Sequence, residues 1–250
     1  MTSEPPLEQK PHGLAGRRFT IDSNGRKVEV VVPGDDDGYV LKEIFEERCY
    51  KPVPGVPSPR SVLDIGANIG LAAAFFRLTY PEALIHCVEP DPVAWSYLAH
   101  NTAQLGNCRL HHVGLYEGDC ERPFYSATNT VMSSLARNPL ASATPNVLKL
   151  RDAGRFVSEL GVERFDLIKI DTEGAEVPII RSLGTIVMSA AMVHLEFHSR
   201  ADRRAIDDLM NPSHCLYYGV IEAAHRGHFT YVANDLCPRD VRTAPLSLEG

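Results

Sequence analysis

The chain has 250 residues, 44% of them hydrophobic, which is enough apolar material for one large α/β domain with a short appendage. Its formal net charge of −7 argues against a broad nucleic-acid or anionic-membrane surface and points to a small-molecule partner, and no apolar window approaches the length of a membrane span. The six cysteines (Cys49, Cys87, Cys108, Cys120, Cys215 and Cys237) form no C-x-x-C pair, so they are expected to be reduced, mostly buried thiols and to offer no zinc site.

Residues 1–15 are polar and Pro-containing, with no apolar core of a secretory signal, and are expected to be a disordered leader on a cytoplasmic protein. An appendage over 16–57 follows. Within it, Phe19 to Val32 carries Asn24-Gly25 between two alternating runs, a hairpin signal. Pro33 to Gly38 is an acidic loop. Val40 to Tyr50 has the i, i+3, i+4 apolar spacing of a short amphipathic helix, which is also a candidate contact in an oligomer. The Pro-rich stretch 52–59 then delivers the chain into the main domain, 58–250.

From there strands and helices alternate. A strand at 61–65 leads to an Ala-rich helix at 71–78. Strand 84–89 precedes a helix at 92–105, where Asp91 caps and Pro92 takes the first helical position. Strand 109–113 comes next. Residues 114–146 show no clear period and are read as a long functional loop or a partly ordered insertion. A short strand at 147–150, a helix at 153–160 and a central strand at 166–171 follow, then helix 174–183, strand 190–197 and helix 201–210. Two final runs, 216–222 and 228–233, joined at His225-Arg226-Gly227, can pair antiparallel at one edge. Such alternation implies a mainly parallel sheet covered on both faces.

Three constellations carry chemistry. In Val62-Leu63-Asp64-Ile65-Gly66-Ala67-Asn68-Ile69-Gly70, an apolar strand ends in a Gly-spaced turn. Gly66 and Gly70 would let backbone approach a ligand, Asp64 and Asn68 would meet the amino-acid end of a cofactor, and Glu89, at the next strand tip, would accept from a ribose diol. The spacing is G-x-N-x-G rather than G-x-G-x-x-G, which shifts the expectation from a nicotinamide cofactor to S-adenosylmethionine, a cofactor with no pyrophosphate to cradle. Lys169-Ile170-Asp171-Thr172-Glu173-Gly174-Ala175-Glu176 closes a second strand, so Asp171 and Glu173 are expected to enter the same crevice, while Glu176 suits a helix N-terminus. His194-Leu195-Glu196-Phe197-His198 closes a third. Period-two alternation puts His194, Glu196 and His198 on one face, and a carboxylate beside an imidazole can form a base; His194, deepest in the strand, suits a structural role better. Asp171, Glu173, Glu196 and His198 would also make an oxygen-and-imidazole set for a divalent metal, but nothing in the spacing demands one.

Together these motifs resemble the FkbM family of S-adenosylmethionine-dependent methyltransferases. The resemblance rests on VLDIGANIG (62–70), VEPDP (88–92), Asn101 with Asn107, MSSL (132–135), DLIKIDTEGAE (166–176) and LEFH (195–198). It implies a Rossmann-like class I methyltransferase fold, with a seven-stranded, mostly parallel sheet ending in an antiparallel pair. It also implies methyl transfer to a hydroxyl of a sugar, polyketide or similar secondary metabolite. Carried over, Asp64, Gly66, Asn68 and Gly70 form the cofactor loop and Glu89 is the ribose acid. Asp171 falls beside the transferring methyl, with Asp171, Glu196 or His198 as the base. The stretch 114–119 departs from the family's pattern, so Asp119 is a weaker candidate for the adenine contact. The leader and the tail 234–250 have no counterpart. Two rivals use the same sheet. An NAD-dependent oxidoreductase would want the missing third glycine, and a non-catalytic cofactor-binding domain would not need the later acids.

Overall fold

A computed structural model describes residues 14–23, 25–34, 37–47, 49–125 and 145–238. Seven strands form the central sheet: β3 (Ser61–Ile65), β4 (Leu84–Val88), β5 (Cys108–His111), β9 (Leu167–Ile170), β10 (Met192–Phe197), β11 (His214–Ala223) and β12 (Arg226–Ala233). Their order across the sheet is β11-β12-β10-β9-β3-β4-β5. β5, β4, β3, β9 and β10 run parallel, and β12 pairs antiparallel with both β10 and β11. The inner strands read SVLDI, LIHCV and LIKI, short apolar runs that suit burial on both faces.

Helices cover both faces. Helix α2 (Leu71–Thr79) and α3 (Pro92–Thr102) bury Phe75, Phe76 and Leu98 on one side; α4 (Ala153–Glu159), α5 (Glu176–Leu183), the short α6 (Thr185–Met188) and α7 (Arg200–Met210) bury Phe156, Ile179, Val187 and Ile206 on the other. From β3 the chain steps outward to β4 and β5, then returns to the far side of β3 with β9. The topological switch point therefore lies between β3 and β9, where open α/β sheets form their ligand crevice. It is this step that sets the end of the first motif beside the end of the second.

The hairpin of β1 (Arg17–Ser23) and β2 (Arg26–Val32) turns in two residues, since Ser23 faces Arg26 and Gly25 takes a φ of +75°. Val30 and Val32 sit in the same buried cluster as Phe75 and Phe76. Asn101 explains its place among the motifs. Its amide donates to the carbonyls of Val31 (3.0 Å) and Ile69 (2.8 Å) and accepts from the Val31 N–H (2.8 Å), tying hairpin, α3 and the glycine loop after β3 together. Helix α1 (Asp37–Leu41) continues as a π-helical segment, Lys42–Glu47, in place of one α-helix over 40–50.

Two further expectations fail. The stretch 114–146 is not all loop: β6 (Gly114–Tyr116), β7 (Cys120–Phe124) and β8 (Asn146–Asp152) make a separate sheet in the order β6-β8-β7. Pairing across a long sequence gap leaves no local period to read. MSSL and the tip of this stretch (126–144), like the leader 1–13 and the tail 239–250, lie outside the described residues. Nor are all six cysteines thiols, because Cys215 on β11 and Cys237 after β12 form a disulfide across Cα atoms 6.5 Å apart. The hairpin that pairs Cys215 with Val232 folds the chain back to bring them together, so spacing alone gave no sign.

Candidate active site

The first motif turns sharply out of β3. Gly66 and Gly70 have φ of +79° and +89°, and Asn68, unusually for a side-chain-bearing residue, +48°. A Cβ on Gly66 would stand 1.7 Å from the Asp171 carbonyl oxygen, and one on Gly70 would stand 3.0 Å from Leu98 Cδ1. The glycines thus bring the loop against the end of β9 and against α3. The loop is also pinned to the next strand tip. Glu89 accepts from the backbone N–H of Asn68 and of Asp91, both at 2.8 Å, one on each carboxylate oxygen. Burial pushes Glu89 up to about 7 despite those two donors. Asn68 Oδ1 is buried and lacks a hydrogen-bond partner among the described residues, which suits a loop built to receive a polar ligand.

Lys169 joins the first and second motifs. Its Nζ lies 3.1 Å from Asp64 Oδ1, 3.3 Å from Asp171 Oδ2 and 2.8 Å from the Gly66 carbonyl oxygen. Burial opposes the ammonium charge, but the carboxylates of Asp171 and Asp64 outweigh it and hold Lys169 above its ordinary range. The sequence motif contains Lys169 but assigns it no role. The available signal was a single charge inside the otherwise apolar strand LIKI, which burial tolerates only when paired.

The third motif completes the crevice. The carboxyls of Asp171 and Glu196 hydrogen-bond one another. Burial and the neighbouring Asp171 charge drive Glu196 well above the usual carboxylate range. Burial would raise Asp171 as well, but Lys169, the hydrogen bond to Glu196 and the His198 charge hold it far below. His198 lies just past β10, with Nε2 3.0 Å from Glu173 and 3.2 Å from Glu196. Burial disfavours its charge, yet the carboxylates of Glu173, Glu176 and Glu196 around the ring keep the imidazolium well above the ordinary value. Arg226, which sequence reading placed only in a turn, reaches Glu173 at 3.1 Å and Glu196 at 3.2 Å. A divalent ion at Glu173, Glu196 and His198 would have to displace that guanidinium. Glu176, in the first turn of α5, accepts from the N–H groups of Thr172 and Gly174 and fixes the turn.

Two candidates stand elsewhere. His194 is buried, its Nδ1 2.9 Å from Thr230 Oγ1 and its ring stacked on Phe76, and burial lowers it to about 3, so it is a neutral core group. Asp119 is exposed, accepts from the Asp152 N–H at 2.9 Å and ion-pairs with Arg155, so its carboxylate ties β7 to the start of α4.

The crevice thus has two halves meeting at Lys169: a glycine-turned loop with a buried acid at the next strand tip, and a cluster of acids at the following tips. The family model for the methyltransferase FkbM domain matches residues 64–219, a span containing every residue of both halves except Arg226. A 31-O-demethyl-FK506 methyltransferase, FkbM, of Streptomyces tacrolimicus is 35% identical over 190 residues, covering 61% of this chain and 70% of that protein. The 2-O-methyltransferase NoeI of Sinorhizobium fredii is 27% identical over 170 residues, 60% of this chain and 70% of that one. Methyltransferase 1 of Beauveria bassiana is 28% identical over 166 residues, 58% and 66% of the two chains, so the match spans about two thirds of these relatives' length. In fold, the chain is similar to the fibrillarin of Aeropyrum pernix solved with natively bound S-adenosyl-L-methionine, with a TM-score of 0.50 at 13% identity over 89% of this chain and 85% of that one. The chain belongs to the FkbM family of S-adenosylmethionine-dependent methyltransferases.

Proposed function

We propose that this methyltransferase acts on a hydroxyl oxygen of a small molecule of the sugar or polyketide type, with Asp171 as the base. The observation that carries the reading is the position of Asp171, past the end of β9, 3.3 Å from the buried Lys169 ammonium and with its backbone against the Gly66 turn. The charges around it agree with that role: Lys169 favours the ionised form of Asp171, burial and the Asp171 charge favour the protonated form of Glu196, and the surrounding carboxylates favour the imidazolium of His198.

Asn68, with its unpartnered buried oxygen, and Glu89, with a free lone pair left on each oxygen, fit a ribose-bearing and amino-acid-bearing cofactor. Asp64 lies deeper, and its role is to hold Lys169 and through it the loop. Bound there, S-adenosylmethionine supplies an electrophilic methyl on a sulfonium sulfur. Asp171 draws the proton from the acceptor hydroxyl, whose oxygen is a poor nucleophile while protonated. Glu196 donates its hydrogen bond to Asp171 and orients it. Lys169 keeps Asp171 ionised at neutral pH, and Arg226 with His198 balances the remaining acids.

The names of two relatives, a 2-O-methyltransferase and a 31-O-demethyl-FK506 methyltransferase, support oxygen as the methylated atom. Among the described residues no helix is long and apolar enough to cross a membrane. The test pairs calorimetric titration with S-adenosylmethionine and a labelled-methyl transfer assay over sugar and polyketide alcohols. Donor binding with label on an alcohol oxygen is expected. Label appearing only on nitrogen acceptors would overturn the oxygen assignment, and absence of donor binding would overturn the donor half.

A further inference from the structure

The N-terminal π-helical segment and the C-terminal hairpin meet at a second cluster, outside the residues assigned above to methyl transfer. Glu43 lies on the segment, Cys49 shortly after it, Glu222 near the end of β11, and His228 on β12. His228 Nδ1 is 2.9 Å from Glu222 Oε1 and 3.4 Å from Glu43 Oε1, and the two carboxyls hydrogen-bond one another. Donor atoms of Glu43, Cys49 and His228 all lie within 4.8 Å of one another. Cys49 and His228 are buried, and both glutamate side chains are 21% exposed.

Three features distinguish this cluster from the acids around Asp171. Its donors are a sulfur, an imidazole nitrogen and carboxylate oxygens, the ligand types that zinc takes, with Glu43, Cys49 and His228 close together and Glu222 reaching the set through His228 and Glu43. In a tetrahedral site of such donors they stand about 3.3–3.6 Å apart, and those of Glu43, Cys49 and His228 already lie within 4.8 Å of one another. Among the described residues, no lysine or arginine forms an ion pair with Glu43 or Glu222, whereas Arg226 already fills that role between Glu173 and Glu196.

We propose that Glu43, Cys49, Glu222 and His228 bind a divalent cation of the zinc class, fastening the N-terminal segment to the C-terminal hairpin. No C-x-x-C spacing announces it, because the donors come from separate stretches that only the fold brings together. His228 faces Glu196 across β10 and β12, so the cation stands beside the acceptor half of the crevice and fixes one of its walls. On binding, the Cys49 thiol gives up its proton to the buffer and the thiolate becomes the ligand; the imidazole binds neutral, and nothing is oxidised or reduced.

The test uses the full chain, stripped with a chelator and titrated with cobalt(II) as a spectroscopic probe. The expected result is one equivalent bound with a thiolate-to-cobalt charge-transfer band, displaced by zinc(II). Cys49→Ser should abolish that band, and His228→Gln should weaken binding at least about tenfold. Glu173→Gln, in the other cluster, should leave both unchanged. Far-UV circular dichroism of each stripped variant separates lost ligation from lost fold, and His228→Gln serves if Cys49→Ser does not fold. Absence of cobalt binding, a spectrum without the thiolate band, or a band that survives Cys49→Ser and is lost on Glu173→Gln would overturn the site.

Discussion

Asp64 and Lys169 stand opposite one another in the register of β3 and β9, with 3.1 Å between Oδ1 and Nζ and almost no solvent on either side chain. The same ammonium holds Asp171 and the Gly66 carbonyl, so one buried cation joins the glycine loop after β3 to the acid at the neighbouring strand tip. Removing one member of such a group leaves buried charge without a partner, which costs more than the intact pair contributes. Lys169→Met should therefore destabilise the fold by about 3–5 kcal/mol in urea unfolding. The double variant Asp64→Asn with Lys169→Met should recover part of that loss. A Lys169→Met variant within about 0.5 kcal/mol of the parent would show that the ammonium is not what stabilises these carboxylates.

Gly66 makes the closest approach in the site. A methyl group there would have to displace the Asp171 carbonyl, and the residue would also sit at φ +79°, where side chains are disfavoured. Gly66→Ala should lower stability by more than about 1 kcal/mol and reduce turnover further than it reduces donor affinity, because the backbone that moves carries Asp171. Comparing the melting temperature, the S-adenosylhomocysteine dissociation constant and kcat separates these effects. Equal losses in affinity and in kcat would place the damage in the donor loop alone.

The sheet was legible because its inner strands are short apolar runs, each closed by a glycine turn or a carboxylate. The same pattern announced Asp64, Glu89, Asp171 and Glu196 at adjacent strand tips. Local pattern says nothing about what a distant strand brings. Arg226 reaches the site only because β12 pairs antiparallel with β10, and Cys237 reaches Cys215 only through the closing hairpin. The sheet of β6, β7 and β8 likewise joins runs on either side of a long insertion. Lys169 is a different case. Its signal was present, a lysine in a buried strand, but its role becomes visible only when β3 supplies Asp64 as the facing partner.

The buried acid at the second strand tip gives a pH dependence with a definite sign. Glu89 is pushed up to about 7 in the folded protein, against an ordinary value of 4.5. Between those values the folded chain keeps a proton that the unfolded chain has released. The stability this group contributes is therefore complete below 4.5 and is lost as pH rises to about 7. Ligand binding runs the opposite way, since an ionised carboxylate accepts from ribose hydroxyls more strongly than a protonated one. Affinity for S-adenosylhomocysteine should rise from about pH 6 to about pH 8, and Glu89→Gln should flatten that rise. A slope that persists in Glu89→Gln would assign it to another group.

The sharpest test of the chemistry lies between Asp171 and Glu196, whose carboxyls hydrogen-bond one another. With Asp171 as the proposed base, Asp171→Asn removes the oxygen that would accept from the acceptor hydroxyl, and kcat should fall about 10²–10⁴-fold. The fold should survive, because Asp64 remains to pair with Lys169. Glu196→Gln keeps a hydrogen-bond donor toward Asp171 in nearly the same shape, so its loss should stay under about tenfold. Neither change touches the groups around Glu89, so calorimetry should find S-adenosylhomocysteine affinity close to that of the parent in both. If the two variants lost activity equally, the proton would not reside on Glu196. If Glu196→Gln were the more damaged, the base would be Glu196, and Lys169 would hold Asp171 ionised only to keep the loop in place.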